Sequence, residues 1–184
     1  FANDPHLDIR TPLFWYFLNL KGPEFEVLGG SLPGVPLIAS GTNMNVAWGL
    51  TNSYANTANL FELSSEDKLQ SFRPTVYIKF WFFKIPFFFK SFLKTEKSYP
   101  ILPVEGEDKI IALNWSGYAL KGSDVSPIFD IPKAKSSEEI KKILGKVGLS
   151  SWNYVFADTK GEIGYQVVGK VFKETVEAAW GMRK

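Results

Sequence analysis

The sequence predicts an α+β fold that is rich in antiparallel sheet. Three observations support this prediction. Short apolar runs of strand length, separated by turns that contain Gly or Pro, fill residues 1–63. Residues 136–147 have the apolar spacing of an amphipathic helix. Two further apolar runs flank the turn at 158–161, as the strands of a β-hairpin would.

The strands of the first third of the chain are predicted from these runs. Leu13–Leu20 is almost continuously apolar, which predicts a strand covered on both faces. The Lys21-Gly22-Pro23 sequence then ends it. Shorter runs predict four more strands, at Phe25–Leu28, Val35–Ala39, Asn45–Leu50 and Ala58–Leu63.

Residues 76–93 form an aromatic tract of different composition. A membrane-spanning helix needs about 20 largely apolar residues. The tract carries Lys79, Lys84 and Lys90, and Pro86 would break a helix, so a membrane span is not expected. Two interpretations stay open: a pair of aromatic strands with the lysines facing outward, or a segment that rests in a membrane interface.

The last third combines the helix with strands. Ser136 can cap the first free N–H groups of the helix, and Glu139 stands three residues on, as in a capping box. The apolar residues that then fall on one helix face are Ile140, Ile143, Leu144 and Val147. The predicted strands of this region are Lys109–Ser116, Asn153–Ala157 and Ile163–Val168.

Composition excludes several classes of function. The formal net charge of +2 is too small to indicate a nucleic acid or an anionic membrane as partner, so we expect neither. The chain has no cysteine, which rules out disulfides and thiolate metal sites within it. Composition does not reveal the cellular compartment.

Three segments in register resemble the β-subunit of the penicillin acylases, a family of N-terminal-nucleophile amidases. The first is Ala2–Leu7, similar to the family's N-D-P-H-L. The second combines Ser31–Pro36, Gly41–Asn43 and Ala47–Asn52, similar to F-P-G-x-P, G-H-N and A-W-G-x-T-N. The third is Asn153–Tyr165, which looks like N-x-x-Y-A-D-x-x-G-N-I-G-Y. The order and spacing of the three are more specific than any one of them.

The resemblance implies a fold, a reaction and a partner. The fold is a four-layer αββα sandwich, of which this chain would form part, completed by an α-subunit or the rest of a precursor. The reaction is hydrolysis of a linear amide, such as the acyl side chain of a β-lactam or an acyl-homoserine lactone. An N-terminal serine attacks the amide, and its own α-amino group acts as the base. Family members are often periplasmic or secreted.

The resemblance also assigns roles to residues. The oxyanion hole would use the backbone N–H of Asn52 and the side-chain amide of Asn153. His6 stands where relatives hold the surroundings of the nucleophile, and Leu7 and Ser40 stand where relatives line the acyl pocket. Without the resemblance, Asn52 is typical of a turn, Asn153 of a strand-end cap and His6 of a structural histidine.

Departures from the family pattern concern the nucleophile and the metal. Relatives place the serine about twenty residues before the histidine. Only Phe1 to Pro5 precede His6, and none is Ser, Thr or Cys, so we expect the chain to lack the nucleophile and to be inactive alone. Asn56 and Asn59 occupy the positions of two calcium-binding carboxylates. Two neutral amides hold Ca²⁺ far more weakly, so we expect no cofactor.

We expect one partial domain over 1–184, in which 72–97 and 171–184 do not match the family pattern. An altered reading frame is one hypothesis for both segments. Two alternatives to catalysis stay open: a non-catalytic module that binds an acyl group, and a membrane-associated remnant.

Overall fold

The computed structural model describes residues 1–35, 37–102, 109–149 and 151–173. It divides into two compact units. The first comprises Phe1–Thr57 and Ala119–Val171, and the second comprises Ala58–Tyr118 with residues 172–173. The prediction that residues 171–184 do not match the family pattern concerns residues that lie largely outside the described ranges. The expectation of one partial domain stays a prediction.

Strands dominate the described residues. In chain order they are β1 Tyr16–Lys21, β2 Glu26–Ser31, β3 Ser40–Thr42, β4 Val46–Asn52, β5 Ala58–Leu63, β6 Leu69–Phe72, β7 Thr75–Phe80, β8 Phe83–Phe88, β9 Phe92–Thr95, β10 Ile101–Leu102, β11 Ile110–Trp115, β12 Trp152–Asp158 and β13 Ile163–Val168. The helices are α1 Gly122–Val125, α2 Ser137–Leu144 and two 3₁₀ helices, Ser116–Ala119 and Ser126–Lys133. This content confirms the predicted α+β class.

The first unit is built on a six-stranded sheet with the order β1-β2-β3-β4-β12-β13. Every neighbouring pair is antiparallel. The join between β4 and β12 brings together parts of the chain that are far apart in sequence, with Asn52 opposite Trp152 and Thr51 opposite Asn153. The β12–β13 pair is the hairpin that the sequence predicts.

One face of this sheet packs against the helices and forms the core. Trp48 on β4 lies opposite Phe156 on β12, and both are buried. The indole N–H of Trp48 donates a 3.0 Å hydrogen bond to the Ile38 carbonyl, so the buried ring leaves no unpaired donor. The remaining core residues come from both sheet and helices: Val27, Ile38, Val46, Ile128, Ile131, Ala134, Ile140, Leu144, Val147, Tyr154 and Val168.

Helix α2 begins where the sequence predicts. The Ser136 hydroxyl accepts a 3.3 Å hydrogen bond from the Glu139 N–H, which satisfies one free donor of the first turn. The Glu139 carboxylate accepts from the N–H of Lys135 at 2.9 Å, one residue before the cap, so the capping box is offset. Ile140 and Leu144 are fully buried, which confirms the predicted apolar face.

Part of the opposite face of the sheet is open to solvent. Residues that lie directly opposite one another share a face, and one such row runs Leu28, Thr42, Ala47, Ala157, Ile163. The two apolar ends of this row are exposed, with Leu28 at 53% and Ile163 at 82%. The sheet therefore has one packed face and one face that is uncovered at the ends of this row, while Asn3 covers the same face at Gly49.

Two strand predictions from the first third of the chain are wrong. Leu13–Leu20 is not covered on both faces, because Phe17 is 80% exposed. Among the described residues, β1 pairs only with β2 and lies at the edge of the sheet. The described residues of the range 35–39, which are all but residue 36, do not form a strand. The N–H of Val35 turns back to the Leu32 carbonyl at 3.0 Å, as expected for chain that follows a Pro-Gly turn.

The second unit contains three small sheets. One has the order β10-β11-β5, and the others are the pairs β6–β9 and β7–β8. The aromatic tract forms β7 and β8, which confirms the first interpretation, a pair of aromatic strands. Within the described ranges, no helix has the length and apolar character that crossing a membrane requires.

Candidate functional site

The first unit has a cavity of about 530 Å³ beside the ends of β4 and β12. The N-terminal segment forms one wall, and the strand ends and the loop after β2 form the others. The residues around it are mostly apolar. The lining consists of Asp4, Pro5, His6, Leu7, Trp15, Leu32, Val35, Leu37, Ala39, Leu50, Thr51, Asn52, Tyr54, Trp152 and Asn153.

Asn153 is held by contacts at both ends of its side-chain amide. Its Nδ2 donates a 3.0 Å hydrogen bond to the Asn52 carbonyl and lies 3.5 Å from the Thr51 hydroxyl. Its Oδ1 accepts a 2.8 Å hydrogen bond from the Tyr165 hydroxyl on β13. These partners fix the amide orientation, because exchanging oxygen and nitrogen would set two acceptors against each other at Asn52.

The backbone N–H of Asn52 points away from β12. The Ser53 N–H donates to the Ser151 carbonyl at 3.1 Å, so the residues of β4 that bond to β12 are the odd-numbered ones. Leu50 and Asn52 therefore direct their N–H groups to the other side of β4. The Leu50 N–H meets the Ser40 hydroxyl there at 3.4 Å. Asn52 lies beyond the end of β3, next to the cavity.

His6 and Leu7 both line the cavity from the N-terminal segment. The His6 imidazole is 88% exposed, and its Nε2 lies 3.6 Å from a carboxylate oxygen of Asp4. Leu7 is 41% exposed. Both therefore stand at an open rim, and their functional roles stay predictions.

Ser40 holds the N-terminal segment and does not appear in the cavity lining. Its hydroxyl accepts a 3.3 Å hydrogen bond from Asn3 Nδ2, which also donates to the Leu50 carbonyl at 3.1 Å. Asn3 lies directly over Gly49, where any Cβ would fall 2.3 Å from Asn3 Cγ. The glycine therefore lets the N-terminal segment dock on β4, and a direct role of Ser40 in acyl binding stays a prediction.

Asn56 and Asn59 belong to different units, and each makes contacts within the protein. Asn59 is buried and Asn56 is half-buried. Across the described ranges no group of three or more His, Cys, Asp or Glu side chains could hold a metal ion. This arrangement does not test whether Asn56 and Asn59 bind a metal ion, and the expectation stays a prediction.

The cavity has the chemistry of a site for an acyl compound. Its volume falls within the range of small-molecule sites. Aliphatic and aromatic side chains form most of the wall, and the amide of Asn153 and the peptide of Asn52 lie together at one end. An apolar chain can pack against the wall while a carbonyl oxygen meets N–H donors at that end.

Sequence reasoning missed the aromatic part of this wall. Trp15, Tyr54 and Trp152 reach the cavity from three separate segments. Trp152 directly precedes Asn153, so adjacency to the motif is the signal that could have identified it. Tyr54 follows Asn52 by two residues, so adjacency to the motif is a signal for it as well. Nothing in the local sequence of Trp15 marks it, because its position depends on how the segments pack.

The model of the penicillin amidase family matches residues 1–180. Among curated proteins, the chain is similar to the acyl-homoserine lactone acylase QuiP of Pseudomonas aeruginosa, with 26% identity over 192 residues that cover 92% of this chain and 22% of that protein. QuiP of Pseudomonas fluorescens is 32% identical over 60 residues, which cover 33% of this chain and 7% of that protein. The chain thus spans about a fifth of the first relative's length.

A solved structure, the thermostable penicillin G acylase of Alcaligenes faecalis, superposes with a TM-score of 0.70. The match covers 91% of this chain and 32% of that one at 19% identity. This likeness confirms the predicted fold class, an antiparallel-rich part of the αββα sandwich of N-terminal-nucleophile hydrolases.

Proposed function

Because the chain belongs to the penicillin amidase family, we propose that it supplies the oxyanion-binding and acyl-binding parts of an N-terminal-nucleophile amidase site. In this reaction a serine hydroxyl attacks the carbon of a linear amide. The tetrahedral intermediate carries its charge on the former carbonyl oxygen. N–H donors fixed beforehand around that oxygen lower the barrier.

The contact between Asn153 and Asn52 carries the proposal. The two residues belong to neighbouring strands, and Asn153 Nδ2 lies 3.0 Å from the Asn52 carbonyl. The second N–H of that amide and the backbone N–H of Asn52 are the two proposed oxyanion donors. Both are uncharged, so they stabilise a developing negative charge without introducing a titrating group.

The cavity wall supports an acyl amide as the substrate class. Among the described residues of its lining, Asp4 and His6 are the only Asp, Glu, His, Lys or Arg side chains, and most of the others are aliphatic or aromatic. The acyl side chain of a β-lactam and the chain of an acyl-homoserine lactone both fit this description. The names of the similar proteins include both chemistries, penicillin G acylase and acyl-homoserine lactone acylase.

The nucleophile is proposed to come from polypeptide outside these 184 residues. The resemblance puts the serine about twenty residues before His6, with its α-amino group as the base. Since nucleophile and base act as a unit with the oxyanion hole, the chain alone is expected to bind acyl compounds without hydrolysing them.

Binding of a carboxylate product tests the site directly. Phenylacetate and octanoate place a negatively charged oxygen where the oxyanion forms, and Trp15 and Trp152 report binding through their fluorescence. We expect saturable binding by the purified chain. Asn153→Asp should weaken it at least tenfold, because the change removes both N–H donors and adds a repelling charge. Thr51→Ser is the matched control and should retain binding.

Two results would overturn the proposal. If Asn153→Asp binds the carboxylates as tightly as the unmodified chain does, the Asn153 amide is not part of the binding site. Hydrolysis of a phenylacetyl or fatty-acyl anilide by the purified chain would show that the nucleophile is already present.

A non-catalytic acyl-binding module is the second candidate. The observation that favours it is that the cavity is lined entirely by residues of the first unit. Joining the chain to a serine-led upstream segment separates the two candidates, because only the amidase gains turnover while both retain binding.

A further inference from the structure

The β7–β8 hairpin is amphipathic. Its register places Val76, Ile78 and Phe80 opposite Phe87, Ile85 and Phe83, so these six side chains share one face. The face contains no polar side chain. Its members are all about half exposed or more, from 49% for Val76 to 65% for Phe83.

The opposite face of the hairpin carries positive charge near the tip, beside Tyr77, Pro86 and Phe88. Lys79 lies directly across from Lys84. Two like charges in opposite positions destabilise a two-stranded ladder unless an anion neutralises them. The surrounding residues 68–95 contain six lysines or arginines and no Asp or Glu. The second face therefore complements a negatively charged surface.

The tip of the hairpin is aromatic and fully solvent-facing. The strands are joined by Trp81 and Phe82, which are 82% and 92% exposed. Trp81 has a φ of 50°, in the left-handed region that Gly or Asn ordinarily fills in such turns. Two bulky aromatic side chains at this position have no packing role within the described protein.

We propose that the β7–β8 hairpin docks this chain on the surface of an anionic lipid membrane. The apolar face and the Trp81–Phe82 tip enter the interfacial region, where aromatic rings partition favourably. Lys79 and Lys84 remain at the level of the headgroups, where anionic lipid attracts each positive charge. The hairpin lies in the interface and does not span the bilayer. This role is independent of the acyl cavity.

Vesicle binding by the purified full chain tests the proposal. We expect co-sedimentation with vesicles of phosphatidylcholine and phosphatidylserine, weaker binding to phosphatidylcholine alone, and a decrease with added salt. Ile85→Asp should lower binding at least tenfold. Lys79→Gln combined with Lys84→Gln should lower binding to the anionic vesicles about tenfold and reduce the salt dependence.

The matched control is Ile163→Asp, which places the same charge on an exposed apolar residue of the six-stranded sheet. It should bind as the unmodified chain does. A blue shift of tryptophan emission on binding should disappear in Trp81→Phe while binding persists. That pair of measurements tests insertion of the tip without any risk to folding.

Three results would overturn the proposal. The first is no vesicle binding by the unmodified chain. The second is equal loss in Ile163→Asp and Ile85→Asp, which indicates general adhesion. The third is that neither the unmodified chain nor Ile85→Asp binds vesicles, while Ile85→Asp disrupts a soluble oligomer. That outcome would identify the hairpin as an interface between protein chains.

Discussion

The Tyr165 hydroxyl donates a 2.8 Å hydrogen bond to Asn153 Oδ1, and this contact orients the side-chain amide nitrogen toward the Asn52 carbonyl. Tyr165→Phe removes the bond and frees the amide to rotate. We expect carboxylate binding to weaken about three- to tenfold, which corresponds to about 1 kcal/mol for one hydrogen bond. Fluorescence titration measures it.

Tyr16→Phe is the control for that substitution, because Tyr16 is 58% exposed and Tyr165 is 57% exposed. The free energy of unfolding should change by less than about 1 kcal/mol in both variants. Unchanged affinity in Tyr165→Phe would mean that the contacts of Nδ2 alone hold the amide.

Gly49→Ala should detach the N-terminal segment from the sheet. The new Cβ would overlap Asn3 and displace it from Ser40 and Leu50. We expect faster proteolysis within residues 1–10 and weaker acyl binding, with a loss of stability below about 1 kcal/mol, since Asn3 is a side chain that can move. Mass spectrometry of a limited digest locates the cleavage.

Gly122→Ala is the matched control, because no described atom outside its chain neighbours and its own helix backbone lies within 4 Å of its Cβ position. Its digest should match that of the unmodified chain. An unaltered digest of Gly49→Ala would show that Asn3 does not anchor the segment in solution.

Tyr154→Phe should stabilise the protein or leave it unchanged. The Tyr154 hydroxyl is buried and has no hydrogen-bond partner among the described residues, and burial raises the pKa of this phenol well above its usual range. Removing an unpaired buried polar atom should raise the free energy of unfolding by up to about 1 kcal/mol. Urea denaturation measures the change.

The contrasting variant is Tyr154→Ala. It deletes the fully buried ring and should cost about 3–5 kcal/mol. Destabilisation by Tyr154→Phe of more than about 1 kcal/mol would reveal a partner for the hydroxyl.

Asp158 makes stability depend on acid pH. Hydrogen bonds from the N–H groups of Ser137, Lys160 and Glu162 hold the pKa of its carboxyl below the ordinary 3.8. A lowered folded-state pKa means that the stabilisation is complete above about pH 4 and is lost as the pH falls through the lowered value. Urea midpoints at several pH values follow this loss.

Asp158→Asn should therefore be less stable than the unmodified chain at neutral pH, and the difference should shrink below the pH at which Asp158 protonates. Asp8→Asn changes an exposed carboxylate of the N-terminal segment and serves as the control. A stability difference for Asp158→Asn that is the same at every pH would contradict the linkage.

Ile163→Lys should raise solubility. Ile163 is 82% exposed on the uncovered face of the six-stranded sheet, and such apolar faces promote self-association. Light scattering as a function of concentration should show less association, with the thermal midpoint retained. Ile140→Lys buries an unpaired charge in the core and should unfold the protein, which separates a surface effect from a general effect of lysine.

Local sequence predicted the elements whose signals are local. The Ser136 cap and the Asp158–Gly161 hairpin turn depend on a few adjacent residues, and both form as expected. Burial depends on distant partners. The apolar run that contains Phe17 predicts a strand covered on both faces, whereas the strand lies at the edge of the sheet and Phe17 is exposed. Apolar composition alone could not distinguish these cases.

The residues of the candidate site also fall into two groups, those that local motifs identify and those that only packing places. Motifs identified Asn52 and Asn153, and the structure brings them into contact across β4 and β12. The motifs could not reveal that Tyr165 orients the amide, although it ends the third segment. Trp15 enters the cavity only because separate segments pack together, which no local pattern encodes.

The pairing of Asn52 with Trp152 has an evolutionary consequence. The chain leaves the sheet after β4 and returns at β12 directly beside the point of departure, so the intervening sequence is an excursion whose two ends are fixed together. Insertions, deletions or wholesale replacement within the 58–118 stretch alter the excursion without changing the spacing of the two asparagines. Sequence changes can therefore accumulate there while the polar end of the cavity retains its geometry.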